Sequence, residues 1–308
     1  MLHLGTVLLK RLGWMALTLW VVFTVSFILM RIVPGGPFSE EKRIPEEIRR
    51  NIEAKYRLDQ PWYRQYLEHL ASTARLDFGP SYRLKDFTVN EVIAQGFPVS
   101  ASLGIFALCF ALGVGIPAGV VAAVHRNAPC DRVLMGLATL GIAVPNFVLA
   151  GISILVVVFW LRLLPAAGWG TLRQLLLPAV CLGAPYAAYL ARLTRTSMLE
   201  VLQQDYIRTA YAKGLPGRVV IVRHALRGAL APVLTYLAPA TAGLLTGSLV
   251  VERIFNLPGM GSHFIEAALQ RDWTLEMGVV LVYTFLLSAL NLLVDLSYGL
   301  LDPRVELE

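Results

Sequence analysis

The chain has 308 residues, of which 56% are hydrophobic and only 16% are charged. Soluble domains carry about 25% charged residues, so this composition indicates lipid as the main solvent. The formal net charge of +6 could indicate nucleic acid, but in a membrane protein it more often reflects cytoplasmic loops rich in Lys and Arg. We therefore predict a membrane protein with no nucleic-acid partner.

The three cysteines do not suggest a disulfide framework. Cys109 and Cys181 lie within apolar runs and Cys130 lies in a short polar loop, so ordinary small buried residues or a free thiol is the simpler interpretation. No companion ligands stand at the close spacing that a metal site needs. The sequence therefore predicts no metal on this chain.

Six apolar stretches are long enough to cross a bilayer, since a hydrocarbon core about 30 Å thick needs roughly 20 helical residues. In chain order they are Leu12–Val33, Val99–Val124, Val133–Leu161, Leu172–Ala191, Gly228–Val251 and Met277–Leu300. The first follows Lys10 and Arg11, but it is too long for the apolar core of a signal peptide, and no small-residue cleavage site follows it. It is predicted to be a retained span.

The basic residues predict how these spans are oriented. If the N-terminus is cytoplasmic, twelve of them are cytoplasmic: Lys10, Arg11, Arg126, Arg132, Arg192, Arg195, Arg208, Lys213, Arg218, Arg223, Arg227 and Arg304. The short loops on the opposite side hold only Arg162, Arg173, Arg253 and Arg271. Long segments cross largely regardless of charge, so residues 34–97 do not enter this comparison. The asymmetry predicts that both chain ends are cytoplasmic.

Residues 34–97, between the first two spans, are predicted to fold outside the membrane. Pro45 can begin a helix that has Glu46 and Glu47 in its first turn. A second short helix is predicted to begin near Pro61 and to contain Trp62, Tyr66 and Leu70, and DFGPSY (77–82) is predicted to form a turn. The insertion is either a small helical lid or a passive connector; its length favours the lid, because packed helices usually need only short connections.

Residues that break helices recur inside the predicted spans. Proline removes a backbone donor and kinks a helix, and lipid tolerates this only where neighbours or water satisfy the freed carbonyl. We expect the second, third and fourth spans to be interrupted at Gly113, Gly115, Pro117, Pro145, Pro178 and Pro185. Several kinked helices suit a transport path, although proline is also commoner in membrane helices generally.

The stretch DYIRTAYAKGLPGRVVIVRHALRGALAP (205–232) is polar and basic although apolar spans flank it. Asp205 is predicted to cap a helix that runs to Lys213, since its charge favours the N-terminal end of the helix dipole. Gly214 can take the left-handed conformation that ends a helix, and Leu215-Pro216 prevents direct continuation. A second short helix, Arg218–Arg227, is predicted to lie at the inner membrane surface and lead into the fifth span.

Two interpretations of this stretch are open from the residues alone. Anionic lipid headgroups could hold basic helices at the inner membrane surface. The small residues Ala210, Ala212 and Gly214 instead favour a helix that docks closely into a groove of another protein.

RTAYAKGLPGRVVIVRHALRGALAPVLT resembles the cytoplasmic coupling motif of ABC importer permeases, in the form found in peptide-type permeases. The resemblance extends along almost the whole chain and includes PGGPF (34–38), DFGPSYRLKDFTVNEVI (77–93), VPNF (144–147), VERIFNLPGMG (251–261) and LDPR (301–304). The external segment is more similar to the oligopeptide-type B subunit than to dipeptide or nickel permeases. The generic motif opens with Glu-Ala-Ala where this chain has Arg208-Thr209-Ala210, so the acidic contacts of the generic motif do not carry over.

This resemblance implies that the helix before Gly214 docks in a cleft of a separate ATP-binding subunit. Closure of two such subunits on ATP would turn the permease outward. The coupling residues that it implies are Asp205, Tyr206, Arg208, Thr209, Ala210, Lys213, Gly214, Leu215 and Pro216. The chain has no G-x-x-x-x-G-K-[ST] phosphate loop, so ATP and Mg²⁺ would be bound by partner ATPase subunits and no cofactor by this chain, which would not itself be an enzyme.

The resemblance also implies a larger assembly in the bacterial plasma (inner) membrane. The six spans would form half of a translocation path for oligopeptides, and a second homologous permease subunit would complete it. Two ATP-binding subunits would lie on the cytoplasmic side, and an extracytoplasmic peptide-binding protein would deliver the substrate. Docking of that protein, or an outer gate, would involve Glu252, Arg253, Pro258, Gly259 and Gly261. From the residues alone, Glu252 and Arg253 could equally form an interfacial ion pair of little value.

The predicted fold is an all-α integral membrane protein with six transmembrane helices, kinked inner helices, cytoplasmic coupling helices and a small helical extracytoplasmic insertion. Residues 1–33 are the cytoplasmic N-terminus and first span, and residues 34–97 are the insertion. Residues 98–302 are an ABC permease core of five spans with the coupling motif at 205–232, and residues 303–308 are a cytoplasmic tail.

Other functions are less well supported by the residues. A permease for another solute of the same subfamily (dipeptide, glutathione or nickel) is the nearest alternative. A secondary transporter driven by an ion gradient often carries acids inside its spans, but only Asp295 lies well inside one, and a hydrogen bond between helices explains it more simply. A membrane-embedded enzyme would need a catalytic constellation, whereas the five histidines are scattered and no H-E-x-x-H motif occurs.

Overall fold

The computed structural model describes residues 2–33, 54, 56–245 and 249–301. Within these ranges the chain is almost entirely helical. The only β pairing in the described part is an isolated antiparallel bridge between Pro80 and Thr88. The predicted all-α fold class is therefore confirmed.

Twelve α-helices can be followed through the described residues. They are α1 (Leu2–Ile32), α2 (Trp62–Ala74), α3 (Val89–Val124), α4 (Pro129–Ala143), α5 (Asn146–Ser153), α6 (Leu172–Val201), α7 (Asp205–Ala212), α8 (Gly217–Val219), α9 (Leu226–Leu245), α10 (Leu249–Ile254), α11 (Met260–Gln270) and α12 (Trp273–Leu301). Two π-helices, Ile154–Trp160 and Val220–Ala225, directly follow α5 and α8. The second π-helix joins α8 to α9 without a break, so the residues after Pro216 enter the fifth span directly.

Five helices in the described ranges are long and apolar enough to cross a membrane. A sixth candidate is a bent pair, Pro129–Ala143 and Asn146–Trp160, whose two parts meet at 111°. Pro145 stands at this break, as the residue that precedes the first turn of α5. The predicted break at Pro145 is confirmed, and the chain has six candidate spans if the bent pair counts as one.

Several helices extend beyond the predicted spans. Helix α3 begins at Val89 rather than Val99, α6 continues to Val201 rather than ending at Ala191, and α12 begins at Trp273 rather than Met277. Hydropathy finds the apolar part of a helix, whereas the helix itself continues for as long as tertiary contacts support its turns. The prediction of a separate helix at Arg218–Arg227 was wrong, because these residues are part of the continuous helical path from α8 through the π-helix into α9.

The glycines and Pro117 of the second span do not interrupt it. Helix α3 runs unbroken past Gly113, Gly115 and Pro117, and α6 likewise runs through its two prolines. Gly115 has a different role, because a Cβ atom there would lie 2.5 Å from the carbonyl oxygen of Ala187 in α6. Close helix packing therefore explains this glycine better than a helix break does.

The chain divides into two compact units, residues 1–99 with 258–308 and residues 100–257. In the first unit, α1 packs on α12 through a core that contains Phe23, Phe27, Met277 and Leu281. Tyr66 of α2 adds its ring to this core, with its centroid 5.5 Å from that of Phe23. The short helix α2 is thus fixed to the membrane-spanning part of its own unit.

A buried carboxylate fixes the loop before α3 to the start of α12 in the first unit. The side chain of Asp272 accepts hydrogen bonds from the Ser81 hydroxyl, from the backbone N–H of Tyr82 (3.1 Å) and from that of Leu275 (3.2 Å). The bond from Leu275 caps the first turn of α12. Only 1% of Asp272 is exposed, and a carboxylate at such a site needs partners of this kind.

In the second unit, α6 is the central helix and packs against α4, α5, α9 and α10. A partly buried ion pair, in which the Asp131 carboxylate is the buried member, also joins α4 to α6. The Arg195 guanidinium donates two hydrogen bonds to the Asp131 carboxylate, at 2.6 and 2.7 Å, and the backbone N–H of Asn127 donates a third at 2.9 Å. Sequence reasoning placed Arg195 among the cytoplasmic basic residues and missed this pair.

The predicted insertion is only partly described. The helix predicted to begin at Pro45 lies outside the described residues. The second predicted helix is confirmed as α2, with Pro61 immediately before its first residue, Trp62. Residues 77–82, predicted to form a turn, are a non-helical segment in which Gly79 has a φ of +81°. The boundaries of segments 1–33, 34–97, 98–302 and 303–308 concern position relative to the membrane and stay predictions.

Candidate functional site

The candidate coupling helix is α7, Asp205–Ala212. Gln204, with extended backbone angles (φ −71°, ψ 148°), precedes its first turn, and Asp205 is the first helical residue. The prediction that Asp205 caps the helix was wrong by one position. Its carboxylate still lies at the positive end of the helix dipole, 3.7 Å from the Arg208 guanidinium.

The C-terminal end of α7 has the two hydrogen bonds of a Schellman motif. The Gly214 N–H donates to the Tyr211 carbonyl at 2.9 Å, and the Leu215 N–H donates to the Ala210 carbonyl at 3.3 Å. Gly214 adopts a φ of +75°, the left-handed region that glycine occupies without the Cβ penalty of other residues. The predicted glycine cap is confirmed, and Pro216 then begins the approach to α8.

One face of α7 is buried within its own unit. Ile207 and Ala210, three residues apart on this face, are 1% and 6% exposed. They belong to a cluster, here called the coupling cluster, that consists of Ala123, Met198, Ile207, Ala210, Val220, Ala225 and Ala229. Ala210 was predicted to belong to a small-residue surface for another protein; it is instead packed against its own chain.

The coupling cluster joins α7 to four other helical elements of the unit. Ala123 comes from α3 and Met198 from α6, while Val220 and Ala225 come from the π-helix that leads into α9. Ala229 comes from α9 itself. Apolar contacts of this kind are short-ranged and tightly packed, so a displacement of α7 also moves the helices that contact it. The geometry therefore suits a helix that transmits force to the spans.

The remaining faces of α7 are open to solvent in the described chain. Its exposed residues, with the turn that follows, are Asp205, Tyr206, Arg208, Thr209, Tyr211, Ala212, Lys213, Gly214 and Pro216. Among the predicted coupling residues, only Ala210 is buried and only Leu215 is half-buried. The structure thus brings the predicted set together on one short helix and its cap, and most of that set is accessible.

The residues predicted for the outer face fall into two groups. Glu252 is fully buried in α10 and accepts a hydrogen bond from the Ser100 hydroxyl at 2.8 Å, whereas its neighbour Arg253 is exposed. Pro258, Gly259 and Gly261 belong to the other compact unit, where Pro258 is exposed and the two glycines are buried at the start of α11. The interpretation of Glu252 as half of an exposed interfacial ion pair was wrong, because its carboxylate is buried with Ser100.

No catalytic or metal constellation emerges from the described residues. None of their His, Cys, Asp and Glu side chains form a group of three that could hold a metal ion. The side chain of Asp295 lies outside the described part of the chain. What the described site offers is therefore an exposed, firmly packed helix between two spans rather than a reaction centre.

These features define a class, an all-helical membrane protein with a short helix exposed between two of its candidate spans. Residues 115–307 match the family described as binding-protein-dependent transport system inner membrane components. The chain belongs to this family.

Relatives of nearly full length support the same assignment. The dipeptide transport system permease protein DppB of Bacillus subtilis is 47% identical over 300 residues, which cover 97% of each chain. The oligopeptide transport system permease protein OppB of Haemophilus influenzae is 45% identical and covers 96% of this chain and 97% of its own length. The oligopeptide transport system permease protein OppB of Salmonella typhimurium is 46% identical, and the match covers 94% of this chain and 95% of that protein.

Among solved structures, the MetNI methionine ABC transporter in an inward-facing conformation has a similar fold. The TM-score is 0.53 at 19% identity, and the match covers 67% of this chain and 95% of that chain. The resemblance to ABC importer permeases of the dipeptide and oligopeptide type is confirmed by these matches. The protein is the membrane permease subunit of an ATP-driven importer whose ATPase resides on separate chains, so the prediction that it is not itself an enzyme is confirmed.

Proposed function

We propose that this permease forms half of a translocation path that imports oligopeptides. The observation that carries the proposal is α7, which has one face in the coupling cluster and its other faces exposed. Relatives at 45–47% identity are named as peptide transport permeases. The protein would act in the bacterial inner membrane, and a second homologous permease subunit would supply the other half of the path.

The exposed part of α7 would be the docking surface for an ATP-binding subunit. Tyr206, Arg208, Thr209 and Lys213 would contact that subunit, and Gly214 with Pro216 would fix where the helix ends. Ala210 would have a structural role, because its buried side chain packs α7 against the rest of the coupling cluster. ATP and Mg²⁺ would be held by two such partner subunits on the cytoplasmic side.

The outer face would receive peptide from an extracytoplasmic binding protein. Arg253 and Pro258 are exposed and would be available to such a partner. Glu252 is better suited to a supporting role, since its buried carboxylate holds Ser100. Both chain ends would lie in the cytoplasm, as the distribution of basic residues predicts.

The test is uptake by the reconstituted complex of both permeases, both ATPases and the binding protein in proteoliposomes. We expect a labelled pentapeptide to enter only when ATP and Mg²⁺ are supplied on the ATPase side. Uptake should persist when an uncoupler collapses the proton gradient. Uptake that survives without ATP but disappears with the gradient would contradict the proposal.

A second candidate substrate is a dipeptide, favoured by the 47% identity to a dipeptide permease. The same vesicles can be supplied with labelled dipeptide, pentapeptide, glutathione or Ni²⁺, each with its own binding protein omitted or present. Preference for the pentapeptide supports the oligopeptide assignment. A preference for one of the other three solutes reassigns the substrate while leaving the importer class intact.

A further inference from the structure

An open groove runs between α1 and α12, near the end of α1 that is predicted to lie at the cytoplasmic surface. Its volume is about 420 Å³, which is within the range of sites that hold small ligands. Both helices belong to the same compact unit. Polar and aromatic side chains line most of the groove, here called the inner groove, namely Lys10, Arg11, Trp14, Thr18, Ser288 and Asn291.

The end of the inner groove nearest the membrane surface is basic. Lys10 is exposed and forms no ion pair with any residue that the structure describes, and Arg11 lines the same groove. A guanidinium has five N–H donors, so Arg11 can bind an anion in addition to a protein partner. An ammonium and a guanidinium that converge on one groove suit a phosphate group.

The polar lining of the inner groove continues below the membrane surface. The first span is predicted to begin at Leu12, and Thr18 lies six residues further along α1, which is about 9 Å at 1.5 Å per residue. From α12, the Ser288 hydroxyl and the Asn291 amide make no hydrogen bond with any described residue. Unpaired polar groups are costly in lipid, so these two side chains need a partner.

The surface of α1 indicates that lipid is available as that partner. Only 11% of its most apolar window is buried, the lowest share among the five unbroken candidate spans in the described chain. Its exposed apolar residues include Leu17, Trp20, Val21, Val25 and Leu29, which spread over roughly 180° of the helix at 100° per residue. A packed helix needs a stripe of about 100°, so part of this surface faces lipid even beside a second permease chain.

The exposed face of α1 leads from the inner groove towards the membrane centre. Trp14, Val21 and Val25 are all exposed, and their spacing of seven and four residues keeps them on one face of the helix. Acyl chains attached to a headgroup in the groove can therefore lie along apolar side chains of α1. A tryptophan near the end of a span is also typical of the lipid interface. A free phosphate ion would use none of this surface.

We propose that the inner groove binds the headgroup of an anionic phospholipid. Lys10 and Arg11 would bind its phosphate, as basic pockets between transmembrane helices do. The Ser288 hydroxyl and the Asn291 amide would form hydrogen bonds with the glycerol and ester oxygens below it. The bound lipid would join α1 to α12 at this end of the unit. The inference does not depend on which solute the permease imports.

Photolabelling of the assembled transporter in a neutral detergent tests the site. The probe is a phosphatidylglycerol with a photoreactive diazirine in one acyl chain, and mass spectrometry measures the label on peptides of α1. Unlabelled phosphatidylglycerol should displace the probe at a concentration about fivefold lower than phosphatidylcholine with the same chains, since one basic residue near the surface contributes about 1 kcal/mol to the attraction of anionic lipid. Inorganic phosphate should not displace the probe.

Three variants separate the contributions to binding. Lys10→Gln should lower the labelling of α1 about fivefold. Arg132→Gln is the matched control and should leave it unchanged, because Arg132 is an exposed basic residue, also predicted to be cytoplasmic, in the other compact unit. Asn291→Leu keeps a side chain of similar size and should lower labelling roughly twofold to tenfold, the equivalent of about 0.5–1.5 kcal/mol for one hydrogen bond. Co-purification of the ATPase subunit shows that each variant is assembled.

Four results would overturn the inference. Equal displacement by phosphatidylglycerol and phosphatidylcholine, or unchanged labelling in Lys10→Gln, would mean that the groove does not recognise an anionic headgroup. Displacement of the probe by inorganic phosphate would make the groove an ion site rather than a lipid site. A wild-type α1 without label, together with a disulfide between a Trp14→Cys variant and the second permease chain, would show that a subunit contact fills the groove.

Discussion

Gly214 shows how one residue can decide the shape of a docking element. Its φ of +75° allows the chain to leave α7 through two hydrogen bonds and return towards α8 within a few residues. No atom lies within 4 Å of the position where a Cβ would stand. Space is therefore available for a side chain at this site, and only the backbone conformation excludes one.

We predict that Gly214→Val weakens ATPase attachment while membrane insertion stays intact. A Cβ in the left-handed region costs about 1–2 kcal/mol, and a β-branched residue is the least tolerant of it. The measurement is the yield of the ATPase subunit that co-purifies with the tagged permease. Gly214→Asn is the matched control, since Asn accepts left-handed angles, and it should retain most of the binding. Wild-type yield from Gly214→Val would contradict the role of the cap.

His69 gives the first unit a dependence on pH. Burial lowers the pKa of His69 below 6.5, the nearby positive charge of Arg31 lowers this pKa further, and Glu68 offsets part of the shift. A folded-state pKa below the unfolded value means that the unfolded chain binds more protons. Stability is then complete above about pH 6.5 and is lost as the pH falls below it.

The prediction is tested by melting curves of the purified chain at pH 8 and pH 5. Wild type should lose more thermal stability on acidification than His69→Gln, which keeps a polar side chain but cannot be protonated. All other titrating groups are shared by the two proteins, so the difference between the two losses isolates His69. Equal losses would show that protonation of His69 does not oppose folding.

At the scale of elements, the contact between α3 and α6 depends on two glycines of α3 that lie one helical turn apart, Gly115 and Gly119. A Cβ at Gly119 would lie 2.5 Å from the Ala191 carbonyl oxygen and 2.6 Å from the Thr194 Cβ. Gly115 makes the equivalent approach one turn earlier. Spacing of this type lets two membrane helices pack backbone to backbone. The central helix α6 is therefore fixed on this side by contacts that leave no room for a methyl group.

Gly119→Ala and Gly113→Ala should have opposite effects on stability. Overpacking at Gly119 is expected to cost about 1–3 kcal/mol, whereas Gly113 has nothing within 4 Å and Ala is the better helix former by about 1 kcal/mol. The melting temperature of the purified chain should fall for the first variant and stay level or rise for the second. Equal changes in melting temperature for the two variants would contradict the role of Gly119 in the close packing of α3 on α6.

The elements that were predicted well are those set by local chemistry. Apolar length located the spans, Pro145 located the break, and the Gly214-Leu215-Pro216 run located the end of the coupling helix. The partners of buried polar groups were missed, among them Asp131 with Arg195, Asp272 with Ser81, and Glu252 with Ser100. Each of these pairs joins residues far apart in the chain, and one sequence contains no signal for such a pairing. The position of Ala210 could not be predicted either. Its small side chain suggested a docking surface, but it is buried in the coupling cluster.

At the scale of the whole molecule, the function of α7 depends on the number of times the chain crosses the membrane. The bent pair of α4 and α5 with its π-helical continuation is either one broken span or a segment that returns to the side it entered. Coupling to cytoplasmic ATPases requires α7 to lie in the cytoplasm. With a cytoplasmic N-terminus, this holds only if the bent pair crosses the membrane.

We therefore predict that the loop at 162–170 is extracytoplasmic and that Lys213 is cytoplasmic. Alkaline phosphatase, which is active only outside the cytoplasm, can be fused after Arg75, after Gly168 and after Lys213 in three truncated chains. The first two fusions should be active and the third inactive, because twelve basic residues hold one side of the spans in the cytoplasm. The fusion after Arg75 is the control, since it precedes the bent pair and is active in either topology. Inactivity after Gly168 together with activity after Lys213 would mean that the pair re-enters, and α7 could then not contact a cytoplasmic ATPase.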